Sequence, residues 1–215
     1  MKLGVFDSGK GGAAMADRLA QLLPGAEIMS VDDSRHVPYG TRQAQEITTL
    51  TDAAIQPLLA ADCDAIIIAC NTATTTALSA LRSTYPGQVF IGIEPMVKPA
   101  AAMTQSNTIA VLATPATLSS QRYDELKREW AGGVTVLEPN CTNWAALIEQ
   151  DDIASIPIRQ TVEMAIAKGA DVIVLACTHY HLIKEVVQQA AGPSVSVLEP
   201  SDAIAQRIQT LLKQS

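Results

Sequence analysis

Residues Asp64–Thr76 have the sequence DAIIIACNTATTT, an unbroken aliphatic run followed directly by polar side chains. The run is typical of a strand that is buried on both faces of a parallel sheet. Its end is marked by a thiol, an amide and a hydroxyl, on Cys70, Asn71 and Thr72. Because ligands bind beyond the carboxyl ends of strands in open parallel sheets, the sequence indicates a functional position for Cys70.

A second stretch, Asp171–His179, has the related sequence DVIVLACTH. In each stretch an aspartate lies six positions before the cysteine, and Cys177 follows Cys70 by 107 positions in a chain of 215 residues. Three other pairs of segments recur at offsets of 105 to 107 residues: Leu3–Phe6 with Ile109–Ala113, Ile28–Asp32 with Val134–Glu138, and Ile91–Pro95 with Val197–Pro200. The chain is therefore predicted to be a duplication.

Each half alternates strands and helices, with about four strands, and this alternation predicts α/β units with parallel sheets and helical crossovers. We expect two pseudo-symmetric α/β domains with the active site in the cleft between them. The N-terminal lobe would comprise residues 1–96 and 201–215 and carry Asp7 and Cys70. The second lobe would comprise residues 97–200 and carry Glu149, Cys177 and His179.

Two helices are predicted from local signals. A helix from Thr117 to Trp130 should have Thr117 as its N-cap. An amphipathic helix from Asp202 to Lys213 should close the chain.

The composition favours a soluble protein without nucleic-acid or acidic-membrane partners. The formal net charge is −7, and no run of five or more basic residues occurs. The N-terminal sequence MKLGVF enters a predicted strand at once, which is unlike a signal peptide. No apolar run approaches the roughly 18 residues that span a bilayer. We expect a cytoplasmic protein.

The four cysteines lack the spacing of a metal site. No C-x-x-C pair and no H-x-x-x-H cluster occur, and structural disulfides are rare in a reducing cytosol. Cys141 has no base close to it in sequence and is expected to pack as a small hydrophobic residue. The remaining prediction is that free thiols at strand ends perform chemistry.

Two thiols from equivalent positions of a duplicated unit would approach one substrate from opposite sides. This arrangement suits racemisation or epimerisation, in which one base removes a proton from carbon and the other returns one to the opposite face. A thiol has a pKa of roughly 8.5, so His179 and Asp7 are candidates for assisting Cys177 and Cys70. Asn71, Thr72 and Thr178 offer neutral donors for a carboxylate.

Two alternatives stay open at this point. A cysteine hydrolase or acyltransferase would use Cys177 as nucleophile and His179 as base, but it leaves the second thiol without a role. A non-catalytic binding module of two α/β lobes would need neither thiol.

Several motifs resemble the cofactor-independent glutamate racemases of the aspartate/glutamate racemase superfamily, over nearly the whole chain. They are Gly4–Gly9 with Gly11-Gly12, Pro38-Tyr39-Gly40, Ala69–Ala73, Gly92–Pro95, Ala113–Thr117 and Cys177–Tyr180. The histidine at position 179, together with Asp7-Ser8-Gly9, is similar to the glutamate branch. Aspartate racemases carry glutamate at that histidine position.

The resemblance implies conversion of L-glutamate to D-glutamate without PLP or a metal, in a homodimer. The product would supply peptidoglycan synthesis, and hence cell wall biogenesis and cell shape. Cys70 would serve the D-enantiomer and Cys177 the L-enantiomer, with Asp7, Glu149 and His179 assisting proton transfer. The residues implied to contact the amino-acid substrate are Asp7, Ser8, Tyr39, Gly40, Asn71, Thr72, Thr117, Thr178 and His179.

Three features depart from the family pattern: Lys10 replaces a small apolar residue, His181 replaces a proline, and Cys141–Trp144 lacks the usual proline and apolar residues. They leave open the role of Glu149 and an alternative substrate, such as aspartate.

Overall fold

The structure, a computed structural model, describes residues 1–212, without the side chains of residues 202, 205, 209, 211 and 212. It contains two four-stranded parallel sheets with equivalent strand orders, β2-β1-β3-β4 and β6-β5-β7-β8. The strands of the first sheet are β1 Lys2–Asp7, β2 Glu27–Asp32, β3 Ala65–Ile68 and β4 Phe90–Gly92. Those of the second are β5 Thr108–Ala113, β6 Thr135–Leu137, β7 Val172–Ala176 and β8 Ser196–Leu198. The predicted duplicated α/β fold is confirmed.

Helices connect the strands. They are α1 Gly11–Leu22, α2 Ala44–Ala60, α3 Asn71–Thr84, α4 Val97–Met103, α5 Pro115–Leu118, α6 Gln121–Trp130, α7 Trp144–Glu149, α8 Ile158–Ala167, α9 Thr178–His181, α10 Lys184–Ala191 and α11 Ser201–Leu212. Short 3₁₀ turns lie at Tyr39–Thr41 and Ile153–Ser155. Within residues 1–212, none of these helices combines the length with the hydropathy that spanning a lipid bilayer requires.

The central strand of each sheet is buried on both faces. Along β3, Ile66 and Ile68 pack with α2 and α3, whereas Ala65 and Ile67 pack with α1 and α11. Strand β7 alternates in the same way between α7–α10 on one face and α4 and α6 on the other. This two-sided burial explains why both strands lack the polar alternation of a half-exposed strand.

Local capping divides one of the predicted helices into two. The helix predicted from Thr117 to Trp130 is interrupted, so Thr117 as its N-cap was wrong. Thr114 caps α5 by accepting from the Thr117 backbone N–H, and Ser120 caps α6 by accepting from the Tyr123 N–H. The chain turns between them because each hydroxyl satisfies an N–H that would otherwise lack a partner.

The closing helix begins at Ser201 and is described to Leu212. Its predicted end at Lys213, like residues 213–215 of the predicted N-terminal lobe, lies outside the described residues. Its contacts with α1 include the buried side chains of Ile204 and Ile208, in one cluster with Met15 and Leu19. These contacts return the end of the chain to the first sheet.

Candidate active site

Cys70 lies directly after β3 and at the N-cap of α3. Its Sγ accepts from the Ala73 backbone N–H at 3.4 Å and lies 3.2 Å from Ser8 Oγ. Burial raises the pKa of Cys70 to about 11, with a further contribution from the charge of Asp7. The Ser8 hydroxyl and the N–H groups of Ser8 and Ala73 act in the opposite direction. Cys70 is therefore a protonated thiol at neutral pH, with donors already placed to stabilise its thiolate.

Cys177 occupies the equivalent position, between β7 and α9. Its Sγ lies 3.8 Å from Nδ1 of His179. Burial raises its pKa well above the ordinary value, and negative charge on Cys70 and Asp7 raises it further. The backbone N–H groups of His179 and Tyr180 lower it. The electrostatic interaction of Cys177 with both Cys70 and Asp7 links the two strand ends in one site.

His179 lies between Cys177 and a carboxylate. Its Nε2 is 2.6 Å from Glu149 Oε2, and both side chains are largely buried. A carboxylate oxygen accepts, so Nε2 is the ring nitrogen that donates to Glu149, and Nδ1 is the one that faces Cys177 Sγ. Glu149 also accepts from the Lys10 backbone N–H at 3.2 Å. The structure thus brings Glu149 to the site although 30 positions separate it from His179.

Asp7 ends β1 and is fully buried. Its Oδ1 accepts from the Ser8 N–H at 2.6 Å, whereas its Oδ2 has no hydrogen-bond partner among the described residues. Burial raises the pKa of Asp7, while the charge of His179 and the hydroxyl of Thr178 lower it. A buried oxygen without a partner is costly, which makes Oδ2 a candidate contact for a ligand.

Asn71 offers a second free acceptor. Its amide nitrogen donates to the Ile93 carbonyl at 2.8 Å, and its Oδ1 is buried without a partner in the described part of the chain. The sequence predicted Asn71 as a donor to a carboxylate. The structure also presents its oxygen as an acceptor without a partner, which suits an ammonium group.

Three threonine hydroxyls meet where the two halves of the sequence touch. Thr72 Oγ1 is 2.9 Å from Thr114 Oγ1 and 3.3 Å from Thr117 Oγ1, and the last two are 3.1 Å apart. Thr114 was not among the predicted site residues. The repeat contained the signal for it, since Thr114 follows Asp7 by 107 positions and ends the equivalent strand.

Tyr39 and Gly40 lie beside these hydroxyls. A Cβ on Gly40 would lie 2.6 Å from Thr114 Cβ, so only glycine allows this approach. The Tyr39 hydroxyl donates to Asp33 Oδ2 at 2.6 Å, and burial raises the pKa of Tyr39 above its ordinary range, with Asp33 adding to the shift. Because this hydroxyl donates its hydrogen to Asp33, Tyr39 has no free O–H donor for a substrate.

Two other residues singled out in the sequence make different contacts. Cys141 packs in the hydrophobic core beside Trp144 and Tyr180, and burial raises its pKa to about 12, as expected for an inert thiol. His181 is partly buried, with Nδ1 4.0 Å from Glu199 Oε2, and desolvation lowers its pKa to about 4.

Comparison with known proteins shows similarity to one family of racemases. Residues 3–208 match the family model described as Asp/Glu/Hydantoin racemase. The curated glutamate racemase of Ectopseudomonas mendocina (strain ymp) is 38% identical over 216 aligned residues, which cover 99% of this chain and 82% of that protein.

Solved structures of glutamate racemases share the fold. The Escherichia coli enzyme, in complex with L-glutamate and the activator UDP-MurNAc-Ala, has a TM-score of 0.86 and 27% identity. That match covers 99% of this chain and 82% of the other. Glutamate racemase from Aquifex pyrophilus has a TM-score of 0.80 and 30% identity, covering 98% of this chain and 84% of that one.

Proposed function

This chain belongs to the Asp/Glu/hydantoin racemase family, and we propose that it racemises glutamate at the α-carbon, with Cys70 and Cys177 as the two bases. The observation that carries the proposal is the equivalence of the thiols. Each follows the central strand of one of two equivalent sheets, and each is buried and electrostatically coupled to Asp7. Racemisation needs one thiolate and one thiol on opposite faces of a carbon, and the duplicated fold supplies one sulfur from each half.

We assign the deprotonation of L-glutamate to Cys177 and that of D-glutamate to Cys70. His179 Nδ1 would accept the proton of Cys177, and Glu149 would stabilise the imidazolium that results. Asp7 and the Ser8 hydroxyl, which lies 3.2 Å from the sulfur, would assist Cys70. Every one of these groups is buried or nearly so, which excludes water from the proton transfers.

The substrate ammonium group would bind between Asp7 Oδ2 and Asn71 Oδ1, the two buried acceptors without partners. The α-carboxylate would accept hydrogen bonds from hydroxyls that surround the thiols, on Ser8, Thr72, Thr117 and Thr178. Tyr39 and Gly40 would close the far side of the substrate. The contact of Gly40 with Thr114 supports this position.

The positive charge of the substrate ammonium group would also lower the pKa of the two thiols. In the unliganded site, burial and the negative charge of Asp7 raise both thiol pKa values. An ammonium group bound at Asp7 offsets that charge and favours a thiolate. The substrate would thereby help to form the base that attacks it.

The cysteine hydrolase hypothesis has one geometric argument, because Cys177, His179 and Glu149 form a chain of contacts suited to a nucleophile. The hydrolase hypothesis is not favoured, because the similar curated proteins are glutamate racemases and because it leaves Cys70 without a role. Aspartate as the substrate is likewise not favoured, since the similar curated proteins and structures are glutamate racemases.

Four further parts of the proposal concern the two lobes, the cellular location, the oligomeric state and the use of the product. We propose residues 1–96 with 201–215 and residues 97–200 as two lobes with the site between them, supported by the separate core clusters of the two sheets. A cytoplasmic location, a homodimer and supply of D-glutamate to peptidoglycan are proposed from the family resemblance.

Circular dichroism of L-glutamate solutions without added PLP tests the function directly. The ellipticity should decay to zero, and a constant signal would reject the proposal. In D₂O, Cys70→Ser should still exchange the α-proton of L-glutamate without racemising it, and Cys177→Ser should do the same with D-glutamate. Cys63→Ser, at the opposite end of the same strand as Cys70, is the matched control and should racemise normally.

A further inference from the structure

Lys10 joins the two halves of the protein next to the catalytic residues. It immediately precedes α1, and its two nitrogen groups both contact the end of α7. The backbone N–H donates to Glu149 Oε2 at 3.2 Å, and the ammonium group donates to Asp151 Oδ2 at 2.9 Å. One residue therefore holds both the side chain of Glu149 and the turn that follows it.

We propose that Lys10 is a positioning residue that fixes Glu149 against His179 and thereby sets the rate of proton transfer at Cys177. The proposal rests on the function proposed above. It concerns the ion pair with Asp151, which the lysine side chain alone supplies and which no small apolar residue at this position could form.

The ion pair is poorly placed to stabilise the fold. The Lys10 and Asp151 side chains are 41% and 84% exposed, and such exposed pairs contribute little to the free energy of unfolding. Asp151 nevertheless has a φ of 60°, in the left-handed region that non-glycine residues rarely adopt. A bond from Lys10 to this turn restrains a segment whose own backbone preference favours another conformation.

The effect on chemistry is confined to one thiol. Glu149 Oε2 accepts from both Lys10 and His179, so a displacement of Lys10 removes one of its two bonds beside the imidazole. Cys70 depends on Ser8 and Ala73 and has no contact with Glu149. Loss of the ion pair should therefore slow the Cys177 step and leave the Cys70 step nearly unchanged.

Deuterium at the α-carbon distinguishes the two steps. Enantiomers have equal free energy in water, so kcat/KM falls by the same factor in both directions, by about threefold to fivefold for Lys10→Met. The isotope effects differ between directions. With α-deuterated L-glutamate the effect should rise, because abstraction by Cys177 becomes more rate-limiting. With α-deuterated D-glutamate it should fall.

Two variants and a control complete the test. Asp151→Gly removes the carboxylate at a φ that glycine adopts freely. It should reproduce the Lys10→Met result, and the double variant should add nothing, since both remove the same bond. Lys10→Arg should restore the wild-type isotope effects. Lys2→Met is the matched control, because the pair of Lys2 with Glu27 lies within the first half.

Isotope effects that match wild type in both directions would overturn the role of Lys10, whether or not the rate falls. A uniform loss of rate of that kind would indicate a structural role only. The proposed function fails separately, if wild-type protein in the same assay does not racemise glutamate.

Discussion

Gly11 provides a sharp test of the contact between the two halves. It is the first residue of α1, and a Cβ at this position would lie 2.5 Å from Thr178 Cβ, 2.8 Å from the Thr178 backbone carbon and 2.9 Å from Asp7 Oδ2. Carbon atoms in van der Waals contact are about 3.5–4.0 Å apart. Rotation of the threonine side chain cannot relieve the clash with its backbone, so Gly11→Ala must separate α1 from α9 by roughly 1 Å.

This separation should lower activity far more than stability. A misplacement of about 1 Å can reduce catalysis by about 100-fold, and that is the loss of kcat/KM expected for Gly11→Ala. Overpacking costs about 1–3 kcal/mol, partly offset by about 1 kcal/mol of helix propensity gained by alanine. The net loss should lower the Tm by less than about 8 °C, at about 2–4 °C per kcal/mol for a chain of this size.

The assay is the initial rate of ellipticity change from L-glutamate and from D-glutamate, together with a thermal melt of the same preparation. Gly87→Ala is the control, because apart from Gly87 and its two chain neighbours no described residue lies within 4 Å of the position that a Cβ would take there. It should leave both rate and Tm unchanged. A folded Gly11→Ala variant with kcat/KM within about threefold of wild type would refute the argument.

Two further predictions concern charge. Glu149→Gln should lower kcat about 100-fold, because the amide can still accept from His179 but cannot stabilise the imidazolium. The measurement is kcat as a function of pH by circular dichroism. An unaltered kcat–pH profile would contradict this prediction. Burial alone would raise the pKa of Asp171, but hydrogen bonds from residues 104–106 lower it overall. The folded pKa is thus below the unfolded value, so this stabilisation is present above about pH 4 and is lost as the pH falls further. Urea unfolding between pH 6 and pH 3 should show a weaker pH dependence for Asp171→Asn than for wild type, and parallel curves would contradict this.

Sequence periodicity predicted the fold because the fold is itself repetitive. The aliphatic runs before Cys70 and Cys177 are unbroken since helices cover both faces of β3 and β7. The recurrence of the same pattern 107 positions later predicted that the two sheets are equivalent. The residues at the ends of these strands identified the two thiols as candidate catalytic groups. These features depend on local chain properties, which a sequence displays directly.

Contacts between residues far apart in the sequence were not available from it. The resemblance suggested Glu149, but only packing of α7 against α9 brings its carboxylate to His179. The partner of Lys10 depends on the turn at Asp151, and the hydroxyl cluster depends on how Thr72 meets Thr114. The last two contacts are set by the relative position of the two sheets, and no spacing rule within either sheet specifies it.

The unequal surroundings of the thiols have a consequence for the reaction as a whole. Cys177 has an imidazole and a carboxylate behind it, whereas Cys70 has a hydroxyl and backbone N–H groups. Because the two enantiomers are equally stable in water, this asymmetry cannot favour either product at equilibrium. It changes how the barrier is divided between the two proton transfers. The isotope effects measured from each enantiomer therefore report the asymmetry of the site more directly than any comparison of overall rates.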